Sequence, residues 1–309
     1  MEENLAIQVE QVTKRYGTFA AVKGISFSVK RRSVFGLIGP NGAGKTTTIR
    51  MIMNILAPDS GSITILGRPS TSGVSKLIGY LPEERGLYRR MNIVDHLVFL
   101  AEIRGVQHAT ARKRALGWLE RLQLGEQREK KVEELSKGQQ QKIQFIGCAI
   151  HEPEIFVLDE PLSGLDPVNS RVLLDLIREF QMQGKTVMFS THIMEQAEKL
   201  CDEIVLIDRA QIVLQGPLSE VKRQHSRNRL ILRGSGSLDR LRSLVGVRRI
   251  DTIDGQVEVE LDRDVVRSEF VQRASAVYNI EALLPHEASL EEIFVNVVSG
   301  IETVGRNEQ

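Results

Sequence analysis

The chain predicts an α/β fold: a parallel sheet built around a phosphate-binding loop, followed by a smaller α+β domain. Three observations carry that expectation. Gly39-Pro40-Asn41-Gly42-Ala43-Gly44-Lys45-Thr46 fits the pattern G-x-x-x-x-G-K-[ST] without departure, with a strand pattern before it and a helical pattern after it. Short apolar runs then alternate with helical patterns as far as residue 217, which implies a parallel α/β core. Beyond that point the order becomes βαββαβ, which matches a ferredoxin-like split βαβ unit.

The elements follow in order. Residues 5–30 alternate in the manner of strands, LAIQVE and then ISFSVK, with Lys14-Arg15-Tyr16-Gly17 at a turn. Ser33 to Ile38 is a short apolar strand that feeds the glycine-rich loop, and Thr46 to Leu56 reads as the helix that follows. Ser62 to Leu66 and Ile78 to Leu81 read as further strands. From Asn92 to Leu124 the pattern is helical, with Ile93, Leu97, Leu100 and Ile103 on one face and basic residues between them. Gln139 to Ile150 is helix, Ile155 to Leu158 a buried strand, Ser170 to Gln183 an amphipathic helix and Thr186 to Ser190 another buried strand. Ile193 to Leu200 is helical, and Ile204–Ile207 pairs with Ile212–Leu214 in a hairpin.

In the second domain, strands are expected at Arg229 (LILR), Val247 to Ile253, Gln256 to Leu261 and Ile280 to Leu284, with a turn at Asp254-Gly255. Helices are expected at Ser237 to Leu244 and Val265 to Ala276, and a last one starts at Ser289-Leu290-Glu291-Glu292, which fits a capping box. The domains are then residues 1–217 and 218–300, with a frayed tail over 301–309.

Composition narrows the function classes. The length of 309 residues suggests two domains, and 41% hydrophobic residues suffice for ordinary cores. The 41 basic and 40 acidic residues nearly cancel, so nothing points to a polyanionic partner such as nucleic acid. Cys148 and Cys201 form no metal-binding spacing and read as reduced, buried thiols. MEENLAIQVE lacks the basic flank and apolar core of a signal peptide. No stretch approaches the roughly 18 to 20 apolar residues that span a bilayer.

The glycines of the loop, which runs from Gly39 to Thr47, let the backbone curl so that successive N–H groups point inward at phosphate oxygens. Lys45 is placed to reach the β and γ phosphates, and the Thr46 hydroxyl to hold Mg²⁺. Asp159 and Glu160 close an apolar strand, which sets a carboxylate beside the loop where it can hold Mg²⁺ through water. Glu160 is then the natural general base for the attacking water. His192, after the next buried strand, reads as a sensor of the γ-phosphate. Tyr16 offers an aromatic face for adenine, although a tyrosine near a turn is also an ordinary packing residue.

Leu135-Ser136-Lys137-Gly138-Gln139 completes the series, and with it residues 5–217 resemble the nucleotide-binding domain of ABC transporters. The resemblance implies a P-loop cassette whose parallel core carries an antiparallel β-subdomain and a helical subdomain over residues 84–152. It implies that the chain binds and hydrolyses ATP with Mg²⁺. Tyr16 falls at the adenine-stacking position, Gly39 to Thr47 at the Walker A loop and Ile155 to Glu160 at Walker B. Ser163-Gly164-Leu165-Asp166 matches the D-loop and His192 the switch histidine. Ser136, Gly138 and Gln139 belong to the signature that closes the ATP site of a second subunit. The implied partners are therefore a homodimeric or paired ABC subunit and an integral-membrane permease, which would hold the chain on the cytoplasmic face of the cell membrane.

Two positions depart from the family pattern. Lys137 stands where the family usually has glycine; it either adds positive charge near the partner's ATP or faces solvent. Glu83, in Tyr80-Leu81-Pro82-Glu83, replaces the Q-loop glutamine. A carboxylate there can still bind Mg²⁺ but cannot donate a hydrogen bond as an amide does. The segment Tyr80 to Tyr88 (YLPEERGLY) and the ending SLEEIFVNVV are similar to ATP-binding subunits of ABC-2-type exporters, including sodium-efflux systems. Residues from Asn92 to Arg114 would form the groove for a permease helix, or simply a solvated basic face. The competing class is a soluble ABC ATPase acting on ribosomes or DNA, but neither a second cassette nor a long inserted coiled coil is visible. The C-terminal domain could also be a ligand-sensing module, against the plainer role of stabilising a dimer.

Overall fold

The computed structural model describes residues 4–299 except 85, 227, 254 and 263, and only the backbone at 75 and 253. The expected tail and the turn residue Asp254 lie outside the described residues. The chain divides into two compact units, residues 1–217 and 218–309.

The first unit opens with a long antiparallel hairpin, β1 (Leu5–Tyr16) and β2 (Phe19–Lys30). The expected turn at Lys14–Gly17 is shifted: Lys14, Arg15 and Tyr16 finish β1, and the chain reverses at Gly17, whose φ of 60° suits a residue without a Cβ. β3 (Val34–Ile38), buried throughout, leads through the phosphate loop into α1 (Lys45–Ile52). β4 (Ser60–Ile65) and the short β5 (Arg68–Pro69) join the hairpin in a four-stranded antiparallel sheet of order β2-β1-β4-β5.

After β6 (Ile78–Leu81), the single helical stretch expected from Asn92 to Leu124 is two helices, α2 (Ile93–Glu102) and α3 (His108–Arg121). Gly105 causes the break. It sits at φ 90°, donates to Glu102 O at 2.8 Å, and lets Val106 donate to Ala101 O at 3.1 Å, which closes the end of α2. α4 (Lys137–Ala149) begins before Gln139, because Ser136 caps it. After β7 (Ile155–Asp159), α5 (Pro167–Met182) likewise begins before Ser170, with Asp166 as cap and Pro167 in the first helical position. β8 (Thr186–Thr191), α6 (Met194–Leu200), β9 (Glu203–Asp208) and β10 (Gln211–Pro217) complete the unit.

The main sheet is six-stranded in the order β10-β9-β3-β8-β7-β6, parallel except for β10. β3, β7 and β8 have no exposed residue, as strands covered on both faces require. An aromatic stack fixes the helices to it: Phe180 of α5 lies 4.2 Å from Phe156 of β7 and 5.8 Å from Phe145 of α4. Trp118 of α3 meets Phe180 edge-on at 6.2 Å. α4, the helix capped by Ser136, is thereby packed through Phe180 onto the main sheet.

The second unit starts with α7 (Leu218–His225), which its polar sequence LSEVKRQH concealed; only Leu218 and Val221 are buried. β11 (Arg229–Gly236), α8 (Leu238–Arg242), β12 (Val247–Ile253), β13 (Gln256–Leu261), α9 (Arg267–Ala274), β14 (Tyr278–Pro285) and α10 (Leu290–Val298) follow. The sheet order β12-β13-β11-β14, antiparallel at every step, is that of a ferredoxin-like unit. β11 runs on past LILR because Gly234 admits close pairing with β14. A Cβ there would stand 1.9 Å from Asn279 O, and the Tyr278 hydroxyl donates to Gly234 O at 2.9 Å.

Candidate active site

The phosphate loop occupies the gap between the end of β3 and the start of α1. Two of its glycines are set by close backbone approach: a Cβ on Gly39 would meet Ile207 O at 2.1 Å, and one on Gly44 would meet Ala21 O at 2.5 Å. Gly44 is left-handed at φ 113° and offers no side-chain cap, and the first turn of α1 holds no acidic residue. The positive end of α1 is thus left without a side-chain acceptor, which suits an anion. Pro40 O accepts from Ala43 N–H at 3.2 Å, closing the loop, while Asn41 and Gly42 are exposed and Thr47 half-buried beside it. Lys45, only 5% exposed, donates through Nζ to Gly39 O at 2.8 Å and reaches Pro40 O at 3.3 Å.

The carboxylates converge on that lysine and on Thr46. Lys45 Nζ stands 3.3 Å from Glu160 Oε1, and Glu160 Oε2 lies 3.0 Å from His192 Nδ1. Thr46 Oγ1 is 3.3 Å from Asp159 Oδ1 and 3.5 Å from Glu83 Oε2. Glu160 is held in a left-handed conformation, φ 48°, a strained backbone for a side chain with a Cβ. Its N–H donates to Ser190 Oγ at 3.0 Å, and Ser190 Oγ in turn donates to Asp159 Oδ1 at 2.6 Å.

Ser190 is the residue that sequence reasoning passed over. It joins both acidic residues, and the register pairs it directly with Asp159 across β7 and β8. Its signal was present: a hydroxyl after the apolar run Val187-Met188-Phe189, in the strand that follows the one ending in Asp159-Glu160.

Burial pushes the Asp159 carboxyl above its ordinary range; hydrogen bonds from Ser190 and Thr46 oppose this, and the charges of Glu83 and Glu160 add to it. Burial, with the nearby Asp159, also pushes the Tyr80 hydroxyl up to about 12. Asp159 Oδ2 is buried with no hydrogen-bond partner among the described residues. An orphaned buried carboxylate oxygen is costly unless a cation meets it. The described residues contain no cluster of three or more His, Cys, Asp or Glu side chains able to hold a metal. The Thr46 hydroxyl with the carboxylates of Asp159 and Glu83 is a set of hard oxygens that fits a cation such as Mg²⁺, which draws most of its ligands from water and phosphate and needs one or two from protein.

The signature residues stand apart from this network. Ser136 caps α4: its Oγ accepts from Gln139 N–H at 3.3 Å, and Gln139 Oε1 accepts from Ser136 N–H at 3.0 Å. Gly138 lies against the first turn of α5, where a Cβ would stand 2.9 Å from Asn169 Nδ2, and Asn169 N–H donates to Asp166 Oδ1 at 2.9 Å. Lys137 is exposed. Further along α4, Gln144 Nε2 donates to Pro82 O at 2.9 Å, tying the helix to the segment that carries Glu83. Among the described residues, Ser136 and Gln139 form no hydrogen bond to the phosphate loop. Tyr16 is also outside the network, 52% exposed beside the hairpin turn and paired across it with Phe19, itself 62% exposed. Phe19 is a second aromatic at that place which the sequence reading did not single out.

Residues 22–163 match the family model described as ABC transporter, and residues 216–298 match that of the ATP-binding protein DrrA1-3-like C-terminal domain. The chain is 40% identical over 296 residues to the uncharacterized ABC transporter ATP-binding protein YhaQ of Bacillus subtilis, covering 96% of this chain and 99% of that protein. It is 37% identical over 218 residues to the Nod factor export ATP-binding protein I of Ralstonia nicotianae, covering 70% of this chain and 68% of that protein. Among solved structures, an ATP-binding subunit of an ABC transporter superposes with a TM-score of 0.66 at 30% identity, over 71% of this chain and 92% of that one. The chain belongs to the ATP-binding proteins of ABC transporters: it is an ATP-hydrolysing cassette with a DrrA-like C-terminal domain.

Proposed function

We propose that this chain pairs with a second copy or a related ABC subunit around two ATP molecules and drives a separate membrane permease, in the export direction. One observation carries this reading. Lys45, Thr46, Asp159, Glu160 and His192 are gathered into one network, while Ser136 and Gly138 stand apart on an exposed helix cap. A site so divided is completed when the cap of one subunit meets the phosphate loop of another.

The residues then take these roles. The phosphate loop, Gly39 to Thr47, and the ammonium of Lys45 hold the phosphates, and the ring of Tyr16, with Phe19 beside it, stacks on adenine. Thr46, Asp159 and Glu83 would hold Mg²⁺, which would supply positive charge against the phosphates. Glu160 takes the proton of the water that attacks the γ-phosphorus, the bond to the β-bridging oxygen breaks, and ADP and phosphate form. His192 holds Glu160 through Oε2, and Lys45 restrains its other oxygen. Ser136, Gly138 and Gln139 of the partner would cover the γ-phosphate from the opposite side.

The permease is supported by family membership and by an apolar surface on the helical segment. Tyr88, 52% exposed, packs edge-on against Phe99 at 5.4 Å, with Ile103, 56% exposed, one turn further along. No described helix is long and apolar enough to cross a membrane, so attachment to the cytoplasmic face would come through that partner. The similarity to a Nod factor export protein supports export. Glu160→Gln tests the shared site: it should bind ATP, hydrolyse it on the order of 100-fold more slowly, and elute as an ATP-dependent dimer. A variant that stays monomeric with ATP bound would overturn the reading.

A further inference from the structure

We propose that a basic cavity at the far end of the catalytic strands is a second anion site, shaped for the phosphoryl or diphosphate group of a small effector. The cavity, of about 200 Å³, is lined by Arg31, Arg32 and Lys185 against one carboxylate, Glu154. It lies where β3, β7 and β8 begin. The phosphate loop, Glu160 and His192 lie where the same strands end. A five-residue strand such as β3 spans roughly 16 Å. A nucleotide in the phosphate loop therefore does not account for these cations.

The turns that form the cavity are stitched together and strained. Arg32 N–H donates to Thr186 Oγ1 at 2.9 Å, and Thr186 N–H donates to Glu154 O at 3.1 Å. Arg32 is left-handed at φ 60°, Leu66 at φ 51° and Gly184 at φ 78°. An arginine in that conformation is strained where a glycine would not be. The turn nevertheless aims a guanidinium beside Arg31 and Lys185. Among the described residues, the side chains of Arg32 and Lys185 form no ion pair or hydrogen bond, and Arg31 reaches only Leu5 O at 3.4 Å. Two guanidinium groups and an ammonium, with a single opposing carboxylate, are a strong match for phosphate oxygens. An anion here would grip the turns that feed Gly39, Asp159-Glu160 and Ser190 to His192, so it would act on the catalytic strands from behind.

The test is binding, and its outcome does not depend on the ATPase reading. Inorganic pyrophosphate is titrated calorimetrically into the full chain with its nucleotide site saturated by ADP. Wild-type protein should bind one further equivalent, and Arg32→Gly with Lys185→Ala should weaken that binding at least tenfold. Glycine keeps the left-handed turn, and a melting temperature no lower than that of the wild type confirms that the variant is folded. Absence of the extra equivalent, or equal binding by the variant, would overturn the site. A parallel arm uses phosphatidylglycerol vesicles. Sedimentation with vesicles that needs Arg32 and Lys185, without pyrophosphate binding, would replace the small effector by a lipid headgroup and overturn the assignment.

Discussion

The phosphate-loop region and the signature cap sit on the same unit but solve opposite problems. Around Lys45 and Asp159 the groups are buried and charged, and Asp159 Oδ2 has no hydrogen-bond partner among the described residues. Around Ser136 the groups are exposed, and each polar atom of the cap answers the other: Ser136 Oγ with Gln139 N–H, Gln139 Oε1 with Ser136 N–H. One region is electrostatically incomplete without a ligand. The other is a preformed surface that costs nothing to leave in water. That difference is what a shared site needs, because each subunit must be stable alone while its charged half waits for nucleotide.

The comparison breaks most directly at Lys45. Lys45→Ala removes the cation from Glu160 Oε1 and from the phosphates at once. Hydrolysis should fall about a thousandfold, or roughly 4 kcal/mol of transition-state stabilisation. Steady-state phosphate release measures it, and turnover near the wild-type rate would refute the assignment of the loop. Ser136→Ala tests the other region. Loss of the cap should cost roughly 1 kcal/mol of stability and leave ATP binding to isolated subunits unchanged. Its hydrolysis should nonetheless drop by more than tenfold. Mixing the two inactive variants should then restore activity, since a mixed dimer holds one site with an intact Lys45 from one chain and Ser136 from the other. No recovery on mixing would mean that the two regions never meet.

A subtler break lies in Asp159. Its folded pKa is raised above the unfolded value, so between the two values the folded state holds more proton. Stability therefore falls as pH rises from the unfolded value through the raised folded one. Asp159→Asn should raise the melting temperature of the ligand-free protein at neutral pH and abolish the further rise that Mg²⁺ gives in the presence of ATP. A lower melting temperature without ligand would show that the hydrogen bonds from Ser190 and Thr46 outweigh burial.

Much of this contrast was legible in the sequence, and for a physical reason. Gly39, Gly44, Lys45 and Asp159 are fixed by local demands, a left-handed turn, a close backbone approach or a strand end, and local demands leave a pattern. Ser190 was overlooked because its role is set across the sheet, by its register with Asp159, and register is not written in β8 alone. The break between α2 and α3 had a visible cause in Gly105, but the apolar spacing carried the eye across it. The extra length of β11 was hidden for the opposite reason. Gly234 and Gly236 look like loop, yet they are there to let Tyr278 and its neighbours approach.

The smallest expected effect concerns Glu83, where the two regions are mechanically joined. Gln144 of α4, the helix that the signature caps, donates to Pro82 O, and the next residue sets its carboxylate 3.5 Å from the Thr46 hydroxyl. The carboxylate also adds a negative charge that helps to raise the Asp159 pKa. Glu83→Gln keeps the length of the side chain, removes that charge and puts an amide donor in place of one acceptor oxygen. ATP affinity should stay within about twofold, while the Mg²⁺ concentration for half-maximal ATPase should rise severalfold, since one fewer carboxylate then faces the cation. Titrating Mg²⁺ at fixed ATP separates the two quantities. An unchanged Mg²⁺ dependence would make Glu83 a bystander to the metal and leave the link from α4 as its remaining connection to the site.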